Sequence, residues 1–165
     1  MRFLLALALA GCAPTTISLL DVDAPVTVPP PSVPLEIVTR SGVPLFIRVE
    51  NSGARFCGLE QSLGRAVTAA VTPWAAQHAE TRPEGWQLLV DLTAARATAG
   101  WGHVDVRVDV RVTLRARKTH EYISQAQAHC AVDGAAAPGD AAPVFHACLA
   151  GIGRDLASWL GSINP

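Results

Sequence analysis

The chain has 165 residues, half of them hydrophobic, and sets 13 basic against 14 acidic side chains for a net charge of −1. That length suits one domain, and so even a balance excludes partners recruited by a strong field, nucleic acid and anionic lipid surfaces among them. The longest apolar stretch, residues 3–10, is far below the ~20 residues of a bilayer-spanning helix, so no span is expected.

Met1-Arg2 is a short positive start, and Phe3-Leu4-Leu5-Ala6-Leu7-Ala8-Leu9-Ala10 follows as an apolar run, the layout of a secretory signal. The run ends in Leu9-Ala10-Gly11-Cys12, which resembles the lipobox of bacterial lipoproteins. The resemblance implies that residues 1–11 are a signal peptide and are removed. Cys12 would then carry a diacylglycerol anchor with palmitate-class acyl chains. Ala10 and Gly11 are small enough for a tight peptidase subsite, and a thiol is the only side chain that could carry the thioether. Arg2 is the one charge lost with the signal, leaving 12 basic against 14 acidic residues. Two or more acyl chains make a stable anchor at about 0.8 kcal/mol per buried CH₂. Ala13, not Asp, follows the cysteine, which in enteric bacteria favours export to the outer membrane. The expected location is therefore lipid-held and periplasm-facing, at the outer membrane.

Residues 12–43 read as a tether. Pro14, Pro25, Pro29, Pro30, Pro31 and Pro34 punctuate it, and such a run favours extended polyproline geometry over a hydrogen-bonded ladder. Short β-prone pieces at 16–20 and 35–39 could pair on an edge, but no core is expected here. A spacer of this kind gains ~3.1 Å per residue where fully extended and would hold the domain off the headgroups.

The small α/β domain is placed at 44–165. Leu45, Ile47 and Val49 alternate with Phe46, Arg48 and Glu50 and predict a strand that ends at Asn51-Ser52-Gly53. Leu59, Leu63, Ala66, Val67, Ala70, Val71 and Trp74 form one apolar helical stripe, with Gly58 at its start and Pro73 expected to bend or restart it. Arg82-Pro83-Glu84-Gly85 is a turn before a strand over 86–92, and Ala99-Gly100-Trp101-Gly102 is the next turn. From Val104 to Arg115 every even position is apolar and every odd one polar, so one sheet face is buried and the other wet. Along the wet face Asp105, Arg107, Asp109 and Arg111 alternate in sign. Lys118-Thr119-His120-Glu121 is a hairpin, 122–132 the returning strand, and 141–160 a second amphipathic helix with Phe145, Cys148, Leu149, Ile152, Leu156 and Trp159 on its stripe. The order β-α-β-β-β-α predicts an α/β (α+β) two-layer sandwich. Its sheet is expected to be four-stranded and mostly antiparallel, with both helices on one face.

Cys57, Cys130 and Cys148 remain after Cys12, and an oxidising compartment permits one bridge among them. Cys130–Cys148 is preferred, because the small-residue face of the last strand seats the last helix; Cys57–Cys130 competes. His129-Cys130 and His146-Ala147-Cys148 do not make a metal site. Adjacent strand residues point to opposite faces, and residues two apart on a helix diverge by roughly 200°. The serines lie in no nucleophile-elbow context, and no glycine-rich loop is placed to cradle phosphate. The expectation is a non-enzymatic protein without cofactor or metal. Trp101, in its glycine turn, reads either as a docking anchor or as a lid over the core end.

The stretches Cys57-Gly58-Leu59-Glu60, Arg82-Pro83-Glu84-Gly85-Trp86-Gln87-Leu88-Leu89-Val90 and Gly153-Arg154-Asp155-Leu156-Ala157-Ser158-Trp159-Leu160, with the lipobox and proline segment, resemble the auxiliary lipoproteins of ABC-type transporters. The likeness is to those that accompany lipid-trafficking systems with Mce-type substrate-binding domains. It implies a non-catalytic component that docks on an envelope transport complex. Similar lipoproteins serve lipopolysaccharide export and cell-wall synthase activation, and a small-ligand binder is the alternative class.

Overall fold

The computed structural model describes residues 16–19 and 35–163. Cys12, the signal segment 1–11 and most of the proline run lie outside the described residues.

The ladder between β5 (Trp86–Ala99) and β6 (Val104–Ala116) is the centre of the sheet. It pairs Trp86 with Ala116 at one end and Ala99 with Val104 at the other, broken only by a bulge at Thr93. β7 (Tyr122–Gly134) continues the antiparallel order on the far side of β6. On the other side of β5 lie β2 (Leu35–Ser41) and then β3 (Ile47–Glu50), both parallel to it. β3 turns back into β4 (Arg55–Cys57), and β1 (Thr16–Ser18) pairs parallel to β4 at the edge.

The helices are α1 (Leu59–Gln77) and α2 (Ala142–Gly161), with a single 3₁₀ turn at Pro138–Asp140 before α2. α1 packs on β2 and β5, α2 on β6 and β7, and the two helices lie side by side. The strict alternation of β6 is realised as expected. Val104, Val106, Val108, Val110, Val112 and Leu114 are all buried under the helices, whereas Arg107, Asp109 and Arg111 are exposed. Gly153 lets the helices approach, since a Cβ there would sit 3.2 Å from the Ala66 carbonyl oxygen and from the Ala70 Cβ. Pro73 interrupts neither helix run nor packing, and α1 is continuous through it.

The expected elements β3, α1, β5, β6, β7 and α2 occur in the expected order, in a mixed α+β architecture. The four-stranded, mostly antiparallel sheet does not: the sheet has seven strands, and β1, β2 and β3 make parallel pairs. The physical reason is the free side of β5. Its lower half needs a partner for its backbone groups, and Leu35 and Ile37 supply one with an apolar inner side. β1 is likewise fixed. Leu19 is wholly buried, its N–H donates to the Cys57 carbonyl at 2.9 Å, and Ser62 Oγ donates to its carbonyl at 2.7 Å. The expectation of no core before residue 44 is therefore corrected at Leu19 and along β2.

If β1 is part of the domain, Leu19→Ala destabilises it as a core truncation does, by about 2–5 kcal/mol. Urea unfolding of the chain checks this; a change near zero is the result expected of a spacer residue.

Candidate functional site

With both helices on the inner face, the outer face of the sheet is left uncovered, and pairing register decides what it displays. Glu50 stands beside Thr98, Thr98 beside Asp105 and Asp105 beside Asp133, an acidic row across four strands. One step down, Arg48 pairs with Arg55 and Arg96 with Arg107. The β3–β5 register, carried back one residue from Val49↔Ala97, brings Arg48 level with Arg96. Four arginines thus form one row over β4, β3, β5 and β6. Further down, Arg40, Asp91, Arg111 and Gln127 form a mixed row, then Val38, Leu89, Thr113 and Gln125 a less polar one.

Like charges directly opposite on neighbouring strands are unfavourable by roughly 0.2–1 kcal/mol. Part of this row is compensated. Arg107 Nη2 lies 3.1 Å from Asp105 Oδ2, and Arg55 donates to Thr16 Oγ1 at 2.7 Å while its guanidinium covers the Phe46 ring. Arg48 and Arg96 are exposed and have no ion pair among the described residues. The alternation expected along β6 is present; the like-charged row across strands comes from register and has no signature in any one segment.

Beside the β5 bulge the same face holds an open depression of ≈ 490 Å³, about evenly polar and apolar, lined by Thr93, Asp109, Arg111, Gln127 and His129 together with Val110 and Ala128. The Thr93 hydroxyl is turned to the Asp109 carbonyl at 3.0 Å.

Trp101 is fully exposed, with a relative accessibility of 102%, which removes the lid reading. Its turn is nevertheless tightly built. The Gly100 N–H donates to the His103 carbonyl at 2.9 Å, Gly102 has φ +71°, and the His103 ring lies where a Cβ on residue 100 would be. Of the other indoles, Trp86 and Trp74 are buried and stack edge-on at 5.2 Å, and Trp159 is half-buried.

Cys130 and Cys148 form a disulfide with Cα atoms 5.5 Å apart, which seats α2 on β7. Cys57 is a free thiol, turned to the Ile17 carbonyl in β1. His129 and His146 are exposed while Cys130 and Cys148 are buried, the divergence expected of strand and helix geometry. No cluster of three metal-ligating side chains occurs among the described residues. No described helix is long and apolar enough to cross a membrane.

No family model matches the chain, and no curated protein does. Among solved structures the fold is similar to a Xanthomonas campestris protein of family DUF330, with TM-score 0.58 and 15% identity over 88% of this chain and 94% of that one. It is also similar to a candidate lipoprotein from Caulobacter crescentus, with TM-score 0.50 and 14% identity over 80% of this chain and 94% of the other.

Two outcomes follow for the folded domain. Unfolded without reductant, residues 16–163 should yield one reactive thiol, and reduction should expose the other two and cost about 3 kcal/mol, as for a loop closed over 18 residues. Thiol titration with urea unfolding reads both. Arg96→Gln should stabilise the domain by about 0.2–1 kcal/mol at low salt, with the gain lost near 1 M salt, where charges are screened beyond ~3 Å.

Proposed function

We propose that this chain is a lipid-anchored, non-catalytic docking protein of the bacterial envelope, an auxiliary component of an ABC-type lipid transport system at the outer membrane. The observation that carries the reading is the open sheet face with its arginine row. A chain with almost no net charge has sorted its charges into bands, acidic over basic over mixed. Such banding attracts no partner from a distance, but it specifies one orientation on a surface with the complementary bands. An acidic strip on the partner would relieve the opposition of Arg96 and Arg107. The lipobox supports an envelope address, and the likeness in fold to a candidate lipoprotein agrees with it. The sequence resemblance to the transporter lipoproteins supports the choice of partner.

Small-ligand binding is the second reading, favoured only by the depression at Thr93. That hollow is open and only about half apolar, whereas ligand sites are mostly apolar and enclose 70–90% of the ligand.

Crosslinking in cells, with a tagged chain that keeps Cys12, tests the proposal. An ABC permease or an Mce-type substrate-binding protein should be recovered with the unaltered chain and lost with the paired reversal Arg96→Glu and Arg107→Glu, while the variant keeps its fold by circular dichroism. Recovery of cell-wall synthases, of lipopolysaccharide export components or of abundant envelope proteins alone overturns it.

A further inference from the structure

We infer that the domain sits directly on the bilayer, with the Trp101 end in the headgroup layer, and that the proline-rich segment is not the spacer between lipid and domain. The inference rests on lipidation of Cys12.

Strand direction places the anchor. β1 is parallel to β4, β4 antiparallel to β3, and β3 parallel to β5. β1 therefore runs opposite to β5, and its first residue, Thr16, faces the end at which β5 turns into β6. Thr16 is also held: it pairs with Arg55 and accepts a 2.7 Å hydrogen bond from that side chain, while Leu19 is locked in the core. Cys12 is only four residue steps before Thr16. Whatever path they take, they span at most about 14 Å at 3.3–3.6 Å each.

The same register measures the height of the turn. Thr16 is level with Arg55, Arg55 with Arg48, and Arg48 with Arg96. From Arg96 to Gly100 is again four residues, so the turn rises about as far as the lipid-bearing cysteine can reach. The anchor cannot lift the domain clear of its own turn. A headgroup layer is roughly 5–7 Å thick on each side of the hydrocarbon, and Cys12, bearing the lipid, is confined to it.

What stands at that end fits the place. Three connections meet there: 51–54, 100–103 and 135–141. They are joined by the Ala136 N–H to the Gly102 carbonyl at 3.2 Å and by Asn51 Nδ2 to the Ala99 carbonyl at 3.5 Å. Residues 51–54 (Asn-Ser-Gly-Ala) and 100–103 (Gly-Trp-Gly-His) carry no Asp, Glu, Lys or Arg, whereas the third connection holds Asp140 and the acidic row of Glu50, Asp105 and Asp133 lies directly behind the turns. The opposite end carries Glu80, Arg82, Glu84, Arg117, Lys118 and Glu121 in its two connections. The turn at 100–103 that carries Trp101 has no Asp, Glu, Lys or Arg of its own, so its tip avoids the cost of desolvating ions against lipid. Trp101, held out by a rigid turn, presents the amphipathic ring that collects at membrane interfaces. The proline run, by contrast, joins Leu19 to Leu35, and both of its ends are pinned to the domain, the second beside Trp86 at the charged end.

The test uses the full lipidated chain in phosphatidylcholine vesicles that carry a headgroup spin label as fluorescence quencher. Part of the tryptophan emission should be quenched, and Trp101→Ala should remove that part. A flexible insert of about ten Gly/Ser residues, roughly 17 Å in mean span, should relieve quenching when placed after Ala13 and leave it unchanged when placed after Pro30. Quenching that survives Trp101→Ala overturns the inference, as does relief by the Pro30 insert alone. Mass analysis separates the premise: Cys12 without acyl chains overturns the anchor and the orientation together, whereas an acylated Cys12 with Trp101 unquenched overturns the orientation only.

Discussion

The β5–β6 ladder is the constraint from which the rest of the architecture follows. Both strands are long, and both turn their alternate residues to one side, so the pair buries one face and exposes the other without freedom to slip. A shift of one residue would bring Arg107, Asp109 and Arg111 under the helices and turn the valines out to water. The helices then have one face to cover. α2 is further bound to β7 by the Cys130–Cys148 bridge, and α1 takes the remaining half of the sheet.

The same ladder explains the unusual left side of the sheet. β5 is longer than either of its partners there, so β2 and β3 share it as a broken strand. The excursion between them carries Leu45 and Phe46, both exposed, past the Thr93 bulge. Because β3 and β2 run parallel to β5, chain from far upstream must return to this edge. That requirement draws residues 16–19 and 35–41 into the domain. A stretch that is proline-rich as a whole therefore holds two strands at its margins, where proline does no harm to the ladder.

Register also produces the banded outer face of the sheet. On β6 alone the charges alternate and neighbours attract. Across the sheet, Arg55, Arg48, Arg96 and Arg107 come from four strands and stand in line, and the chain tolerates the repulsion because the row is solvated and partly compensated by Asp105 and Thr16. The proposed division of labour assigns this banded face to a protein partner and the Trp101 turn to the membrane. Both surfaces lie on one rigid sheet, so an anchor a few residues long would set the angle at which the face meets its partner.

Local periodicity was enough to place β3, α1, β5, β6, β7 and α2, because periods of 2 and 3.6 are written within each segment. The one-sided burial of Val104–Leu114 and the divergence of His129 from Cys130 follow from the same geometry. The lipobox pattern is likewise contained in twelve consecutive residues. What the tertiary structure alone decided is whatever depends on a partner distant in the chain. Leu35 and Ile37 look like residues of a tether until Trp86 and Leu88 pair with them; Leu19 looks solvent-exposed until Ser62 and Cys57 close over it; Arg96 is an ordinary surface arginine until Arg48 is set beside it. Parallel pairing is the reason: it joins segments some fifty residues apart through backbone hydrogen bonds, which every residue type can make and which therefore leave little mark on the sequence.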